Sequence, residues 1–318
     1  MRVFSVVASV AVLVGIAVII ARNWPSNAVW ASLATPSSLR SAALAGGLIA
    51  ASILVRGVRW HGQLRGAVEA PMGRMLAGFA WCFVVVITLP LRLGEAARVL
   101  WARRVHGDSG HVAGALIAER LTDLLALAAL AGFAALVVPD SGPGLVVGGG
   151  IVLAISLGMF AVASVFSTPL STWVANFANR PRLRGRVGPI LSRASNGLAT
   201  IAPGSAIRML GLGLIAWILN AAAITVFLIE IIPGLPWPTG VAVLVSVNLA
   251  ALVNVVPANV GLYHSAAIVA LLANSVPFDQ ALVAATGLHA LSILTIFIVG
   301  GMAKIYLARF GQRIWDVV

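Results

Sequence analysis

Long apolar segments dominate the chain and are separated by short polar or basic connections. The main segments are residues 3–21, 39–58, 75–91, 112–138, 144–166, 207–231, 239–256, 258–275 and 280–303. A helix that spans the hydrocarbon core takes about 20 apolar residues. The pattern therefore predicts an all-α, polytopic membrane protein, with a single integral membrane domain over residues 1–318.

Two of these segments end in a proline that is followed closely by a glycine: Pro90 with Gly94, and Pro257 with Gly261. Proline removes a backbone donor and clashes with the preceding turn, so both segments are predicted to break there. Transporters use pairs of broken segments to build a site at the membrane midplane. The alternative is that both prolines end ordinary helices near the membrane surface.

The positions of Lys and Arg favour a topology in which not every segment crosses the membrane. If residues 75–91 dip in and return, and residues 239–275 form a hairpin from the opposite side, nearly all basic residues lie in cytoplasmic loops. The exceptions are Arg22 and Arg40 outside and Arg120 within a segment. We therefore expect about six full spans plus two broken or re-entrant hairpins, with both termini in the cytoplasm.

The most basic part of the chain lies in a predicted cytoplasmic loop over about residues 167–206. It is too polar to span a membrane and is predicted to divide the protein into halves of about three membrane elements each. The two halves could be an inverted structural duplication. The repeated proline–glycine breaks are the one sequence feature that supports this alternative.

Composition agrees with a membrane protein, since 60% of the residues are hydrophobic and 9% are charged, against about 25% charged in a soluble domain. Basic residues outnumber acidic ones by 21 to 9, for a net charge of +12. In a membrane protein this excess indicates contact with anionic lipids. Nucleic acid is set aside as a partner, because the arginines lie between apolar runs without a binding motif. The single cysteine, Cys82, excludes a disulfide framework and a cysteine metal site.

A first group of candidate functional residues follows the Pro90 break. Arg92, Glu95 and Arg98 are spaced three apart, so on a helix they share one face, with the carboxylate between two guanidinium groups. The planar guanidinium forks would retain donors for a phosphate group. The structural alternative is a solvated cytoplasmic helix with incidental ion pairs.

A second group, Glu119, Arg120 and Asp123, lies inside the apolar segment 112–138. Each charge would cost about 2.5 to 3.5 kcal/mol if it faced lipid near the bilayer centre, so protein or water must surround it. Glu119 and Asp123 share a helical face and require a cation, for which we predict Arg92 and Arg98. A buried network that only locks helices together is the alternative, although ionisable groups inside membranes are more often functional.

These motifs resemble those of a known family. The pattern Pro-x-Arg-x-Gly-Glu-x-x-Arg at residues 90–98, with Glu-Arg-x-x-Asp at 119–123, resembles the lysylphosphatidylglycerol synthase transmembrane-domain family, also described as flippase-like. Residues 257–264 are similar to its Pro-Gly-Gly-x-Gly-x-x-Glu motif, with Ala258 and Asn259 in place of glycines and His264 in place of the glutamate. The resemblance covers roughly residues 40–303 and implies a multi-pass inner-membrane protein that moves a lipid headgroup, here without the soluble aminoacyl-transfer domain.

Together, the motifs and the resemblance predict a lipid translocase of flippase or scramblase type for an anionic phospholipid or a phosphate-linked glycolipid. Arg92 and Arg98 would hold the phosphate from the cytoplasmic side, and other polar residues would complete the headgroup site. The full predicted set is Arg92, Glu95, Arg98, Glu119, Arg120, Asp123, Asn254, Pro257, Asn259, Gly261 and His264. No catalytic residue, metal or cofactor is predicted, and no phosphate-binding loop for ATP occurs.

Two other functions remain as alternatives. An accessory membrane subunit would bind a glycosyltransferase or another protein of envelope lipid synthesis through the basic loop. A membrane-embedded transferase would use Glu119 and Asp123 as a base or as metal ligands. Polar residues elsewhere in the apolar segments, including Asn248 and His289, are expected to make packing hydrogen bonds.

Overall fold

The computed structural model describes residues 25–65, 70–88, 93–104, 109–137, 171–177, 203–251 and 256–309, with a few single positions between them. Its α-helices are α1 (Asn27–Ala31), α2 (Pro36–Gln63), α3 (Met72–Thr88), α4 (Leu93–Arg104), α5 (Ser109–Val137), α6 (Pro203–Ile231), α7 (Pro238–Ala250), α8 (Leu262–Leu272) and α9 (Phe278–Ala308). Residues 32–34 and 257–259 form short 3-10 turns. No strand occurs within these ranges, and the predicted all-α fold is confirmed.

Within the part of the chain that the structure describes, three stretches of helix are long and apolar enough to cross a membrane: Pro36–Gln63, Ile207–Ile231 and Phe278–Ala308. Proline is the first residue of both α2 and α6, where its fixed φ fits and its missing N–H is not needed. Helix α5 has 29 residues and is equally long, although it carries the charges of Glu119, Arg120 and Asp123. The lengths agree with the polytopic membrane fold predicted from the sequence.

Other apolar helices are too short for a full span. Helix α3 has 17 residues, α7 has 13 and α8 has 11, and 13 helical residues reach only about 20 Å. Helices α7 and α8 pack against each other. The hydroxyl of Thr239, at the start of α7, donates to Oδ1 of Asn274, just after the end of α8, at 3.0 Å. These helices coincide with the segments predicted to be re-entrant, and the helix break at Pro257 is confirmed.

The chain divides into two compact units that are built from alternating stretches rather than from an N-terminal and a C-terminal half. The first unit is Met1–Ala50, Val85–Gly94 and Leu219–Ile298, and the second is Ala51–Val84, Glu95–Ile218 and Val299–Val318. Helix α3 therefore begins in the second unit and ends in the first, whereas α7 and α8 belong wholly to the first.

Basic residues are distributed unequally between the two units. Among the residues that the structure describes, Arg40 is the one Lys or Arg of the first unit. The second unit contains Arg56, Arg59, Arg65, Arg74, Arg98, Arg103, Arg104, Arg120, Arg208, Lys304 and Arg309.

The core of the second unit contains a cluster of large aromatic side chains. Trp60 lies 5.6 Å from Phe79 and 5.5 Å from Trp101, measured between ring centroids. Gly78 allows this packing, because a Cβ atom at that position would overlap the Trp101 ring. The cluster holds α2, α3 and α4 together beside the charged residues described below.

Several predicted features fall wholly or partly outside the described residues. They are the first apolar segment 3–21, the Pro90 break, Arg92, Asn254 and most of the segment 144–166. Of the predicted loop 167–206, residues 171–177 are helical and α6 begins at Pro203.

Candidate functional site

Charged residues from three helices meet in the second unit. Helix α2 contributes Arg56 and Arg59, α4 contributes Arg98, and α5 contributes Glu119 and Asp123. Spacings of three residues on α2 and four on α5 place each pair of side chains on one helical face. We call these five residues the charge network.

Arg59 connects the two carboxylates of the charge network. Its Nη1 donates to Asp123 Oδ1 at 2.7 Å, and its Nη2 lies 3.5 Å from Glu119 Oε1. On the other side of Glu119, Arg98 Nη2 donates to Oε2 at 3.0 Å. Arg56 Nη1 donates to Asp123 Oδ2 at 3.3 Å. The five side chains therefore form one continuous series of ion pairs.

The charge network is buried and is walled by aromatic rings. The exposed fraction of its side chains ranges from 0% for Arg59 to 10% for Arg56. Trp217 Nε1 donates to Asp123 Oδ1 at 3.3 Å, and the Arg56 guanidinium lies 4.2 Å from the Trp217 ring centroid. The Arg98 guanidinium lies 4.5 Å from the Phe79 centroid. Charges so far from water are stable only when they are paired.

The charge network has a net charge of +1. The charge network contains three guanidinium groups and two carboxylates. A separate ion pair joins Glu95 Oε1 to Arg120 Nη2 at 2.8 Å, with side chains 24% and 44% exposed, and is neutral by itself. Every acidic residue that the structure describes in the second unit is thus paired with arginine, and the five residues of the charge network together carry a net charge of +1.

The predicted pairing of Glu95 is corrected by the structure. The sequence places this carboxylate between Arg92 and Arg98, whereas its ion pair is with Arg120 on α5. Arg98 instead pairs with Glu119, as predicted, because the buried carboxylate requires a cation more than the partly solvated Glu95 does. Arg92 lies outside the described residues.

Arg56 and Arg59 are the functional candidates that sequence reasoning missed. They are predicted as members of a cytoplasmic loop, but α2 continues to Gln63 and buries both. By hydropathy the apolar run ends at residue 58, just before Arg59, whereas the helix continues for five more residues. Their spacing of three, next to Trp60, is the feature that could have identified them as one face of a continuing helix.

The other predicted site residues meet in the first unit, around the broken segment. Ala258 and Asn259 both have φ of 54°, and Gly261 has φ of 85°. His264 Nδ1 accepts a hydrogen bond from the Gly261 N–H at 3.3 Å, which caps the start of α8. From α9, His289 Nε2 donates to the Ala258 carbonyl at 2.9 Å. Two histidines therefore hold opposite ends of the turn 257–261.

Three aromatic side chains pack together beside this turn. The Tyr263 and His289 rings are stacked with centroids 4.3 Å apart, and the His264 ring meets His289 edge-on at 4.8 Å. Pro257 starts the 3-10 turn that bears Asn259. The headgroup contacts predicted for Pro257, Asn259, Gly261 and His264 thus fall in one short region, and their role in binding stays a prediction.

No metal site is evident among the described residues, where no three His, Cys, Asp or Glu side chains come together.

The model of a family described as lysylphosphatidylglycerol synthase TM region matches residues 6–300. This range includes every residue of the charge network and of the turn 257–261. No curated protein and no solved structure matches the chain.

Proposed function

Because this chain belongs to the lysylphosphatidylglycerol synthase TM region family, whose members are membrane lipid-related proteins, we propose that it is a lipid translocase of the cytoplasmic membrane. It would move a lipid with an anionic headgroup between the leaflets. The observation that carries this proposal is the unbalanced charge network, in which three buried guanidinium groups meet only two carboxylates.

A bound anion accounts for the unbalanced charge better than a structural role does. A network that only locks helices together is most stable when its charges balance, since an unpaired buried charge is strongly destabilising. The planar fork of arginine binds two oxygens of a phosphate group at once. A lipid phosphate would supply the missing negative charge within the membrane.

The distribution of basic residues supports entry of the headgroup from the cytoplasmic side. Short cytoplasmic loops collect Lys and Arg, and the second unit holds every described basic residue except Arg40. We therefore propose that the headgroup reaches the charge network of the second unit from the cytoplasmic side.

An accessory-subunit function is the alternative that a specific feature favours. Within the predicted basic loop, Trp173 is 61% exposed and stacks on Phe177 with ring centroids 5.6 Å apart. Exposed aromatic side chains are common in protein interfaces. A protein that acts through such a surface would keep its function when the charge network is altered.

Transbilayer movement of labelled lipids in liposomes tests the proposal. Purified protein would be reconstituted with a fluorescent phosphatidylglycerol or a fluorescent polyprenyl-phosphate glycolipid, and lipid in the outer leaflet would be quenched chemically. We expect movement with the native chain and its loss with Arg98→Gln. The matched control is Arg65→Gln, which removes an exposed arginine just beyond the end of α2.

A second variant separates loss of function from loss of folding. Arg56→Gln leaves two guanidinium groups and two carboxylates, so the buried charges balance and the protein should remain folded. Loss of lipid movement in both folded variants supports the proposal. Unchanged movement in both, or no movement of any lipid by the native chain, contradicts it and favours the accessory function.

A further inference from the structure

Hydrogen-bond donors around the charge network also lack partners. The buried donors there without a hydrogen-bond partner are Arg59 Nε and Nη2, Arg98 Nε, Trp60 Nε1 and Trp101 Nε1, and one buried acceptor, Gln63 Oε1, has no donor. They lie close together, because the Arg98 guanidinium is 5.2 Å from the Trp60 ring and Trp60 contacts Trp101. Buried polar groups in folded proteins are nearly always paired, so these require an explanation.

The net charge and the unpaired donors thus indicate independently that a negatively charged hydrogen-bond acceptor is missing from this site. The charge network has one positive charge too many, and its surroundings have donors without acceptors. A phosphate group carries negative charge and only accepts hydrogen bonds when it is ionised, so it would correct both deficits. Among the described acidic residues of the second unit, none is left to fill that role, because each already has an arginine partner.

We propose that the charge network binds one singly charged phosphodiester whose headgroup bears hydroxyl groups, such as a glycerol or a sugar. The assignment rests on the proposed function for its premise that the ligand is a lipid. One negative charge balances the surplus guanidinium. The indole N–H groups of Trp60 and Trp101 would donate to hydroxyl oxygens, and Gln63 Oε1 would accept a hydroxyl proton.

The net charge of the network and the existing ion pairs of its carboxylates also exclude other headgroups. An ammonium group, as in ethanolamine or a lysyl ester, would need a carboxylate, but Glu119 and Asp123 are both occupied by arginine. A phosphomonoester or a diphosphate would bring more negative charge than the surplus can balance. Selectivity should therefore follow headgroup charge rather than the length or number of the lipid chains.

Lipid binding by the purified protein tests this assignment without any need for transport. The protein would be placed in phosphatidylcholine nanodiscs that contain one test lipid, and the lipid retained on the protein would be counted by native mass spectrometry. The test lipids are phosphatidylglycerol, a polyprenyl-phosphate hexose, phosphatidylethanolamine, lysyl-phosphatidylglycerol, phosphatidic acid and a polyprenyl diphosphate. We expect about tenfold or greater preference for one or both of the first two. The comparison between them distinguishes a diacyl lipid from a polyprenyl glycolipid.

Variants of the charge network shift the expected preference in opposite directions. Arg56→Gln removes the surplus charge and should abolish the preference for phosphatidylglycerol or the hexose lipid. Glu119→Gln raises the surplus by one and should move the preference toward phosphatidic acid. Arg65→Gln, exposed and outside the charge network, should bind as the native chain does. If Glu119→Gln does not fold, Arg56→Gln alone decides the result.

The outcomes separate this assignment from the proposed function. Equal retention of ethanolamine or lysyl headgroups, or an unchanged preference in folded Arg56→Gln, overturns the phosphodiester assignment. Selective retention without transbilayer movement keeps the assignment and overturns the translocase. Movement of all headgroups without selective retention keeps the translocase and overturns the assignment.

Discussion

Arg59 and Asp123 form the shortest ion pair of the charge network, with 2.7 Å between Nη1 and Oδ1, and the Arg59 side chain has no exposed surface. Arg59 also reaches Glu119, so that one guanidinium serves both carboxylates of α5. Arg56, by contrast, contacts only Asp123 among the acidic residues and is the more exposed of the two. The two arginines of α2 therefore differ in their contacts: Arg59 bridges both carboxylates, and Arg56 pairs with one of them.

This difference predicts unequal effects of two similar substitutions on stability. Either substitution leaves two guanidinium groups for two carboxylates, but Arg59→Gln removes the guanidinium that contacts both carboxylates and should lower the free energy of unfolding by about 3 to 5 kcal/mol. Arg56→Gln keeps that contact and should change the free energy of unfolding by less than about 1 kcal/mol. Thermal or denaturant unfolding of both purified variants in the same detergent checks this. Equal destabilisation by both would contradict the separate assignments.

The turn 257–261 predicts a substitution that stabilises the protein. Ala258 has φ of 54°, a left-handed conformation that costs a residue with a Cβ atom about 1 to 2 kcal/mol relative to glycine. The hydrogen bond from His289 to the Ala258 carbonyl helps to hold it there. Ala258→Gly should therefore raise the midpoint of thermal unfolding.

The control for this prediction is the same change within a regular helix. Ala266 lies inside α8, where glycine is less favourable than alanine by about 1 kcal/mol. Ala266→Gly should lower the unfolding midpoint that Ala258→Gly raises. A lower midpoint in both variants would show that strain at Ala258 is not significant.

The predicted topology can be tested by cysteine labelling from each side of the membrane. The native thiol of Cys82 is buried, so labelling of the unmodified chain should be low. Arg65→Cys lies in the basic second unit and Ser275→Cys lies beyond α8 in the first, and both positions are exposed. A membrane-impermeant maleimide should reach Arg65→Cys from the cytoplasm and Ser275→Cys from outside. Labelling of both cysteine variants from the same side of the membrane would contradict the proposed orientation.

The sequence predicted the helices of this protein better than it predicted which side chains form ion pairs between them. The apolar segments and the break at Pro257 follow from local rules, and the structure shows the break and the apolar helices that fall within the described residues. The pairing of Arg98 with Glu119 could be predicted because a buried carboxylate needs a cation. The pairing of Glu95 with Arg120 could not, since it depends on which faces of α4 and α5 meet.

Two features lay beyond the reach of the sequence for physical reasons. Hydropathy counts Arg59 as a loop residue, although a helix can bury an arginine when carboxylates on a neighbouring helix pair with it. The left-handed conformation of Ala258 has no local sequence signal, because alanine normally favours right-handed helix. Both depend on contacts between segments that are distant in the chain.

Helix α6 offers a test of the charge network that leaves every charged residue in place. A Cβ atom at Gly213 would lie 2.7 Å from Arg59 Nη1, the atom that donates to Asp123. Gly213→Ala should push the guanidinium away from Asp123, lowering the free energy of unfolding by about 1 to 3 kcal/mol and reducing lipid movement. Gly211 is two residues away in the same helix, and a Cβ atom there would meet nothing within 4 Å. Gly211→Ala should therefore be neutral or stabilising by up to about 1 kcal/mol, and equal effects of the two substitutions on lipid movement would show that the position of Arg59 does not matter for transport.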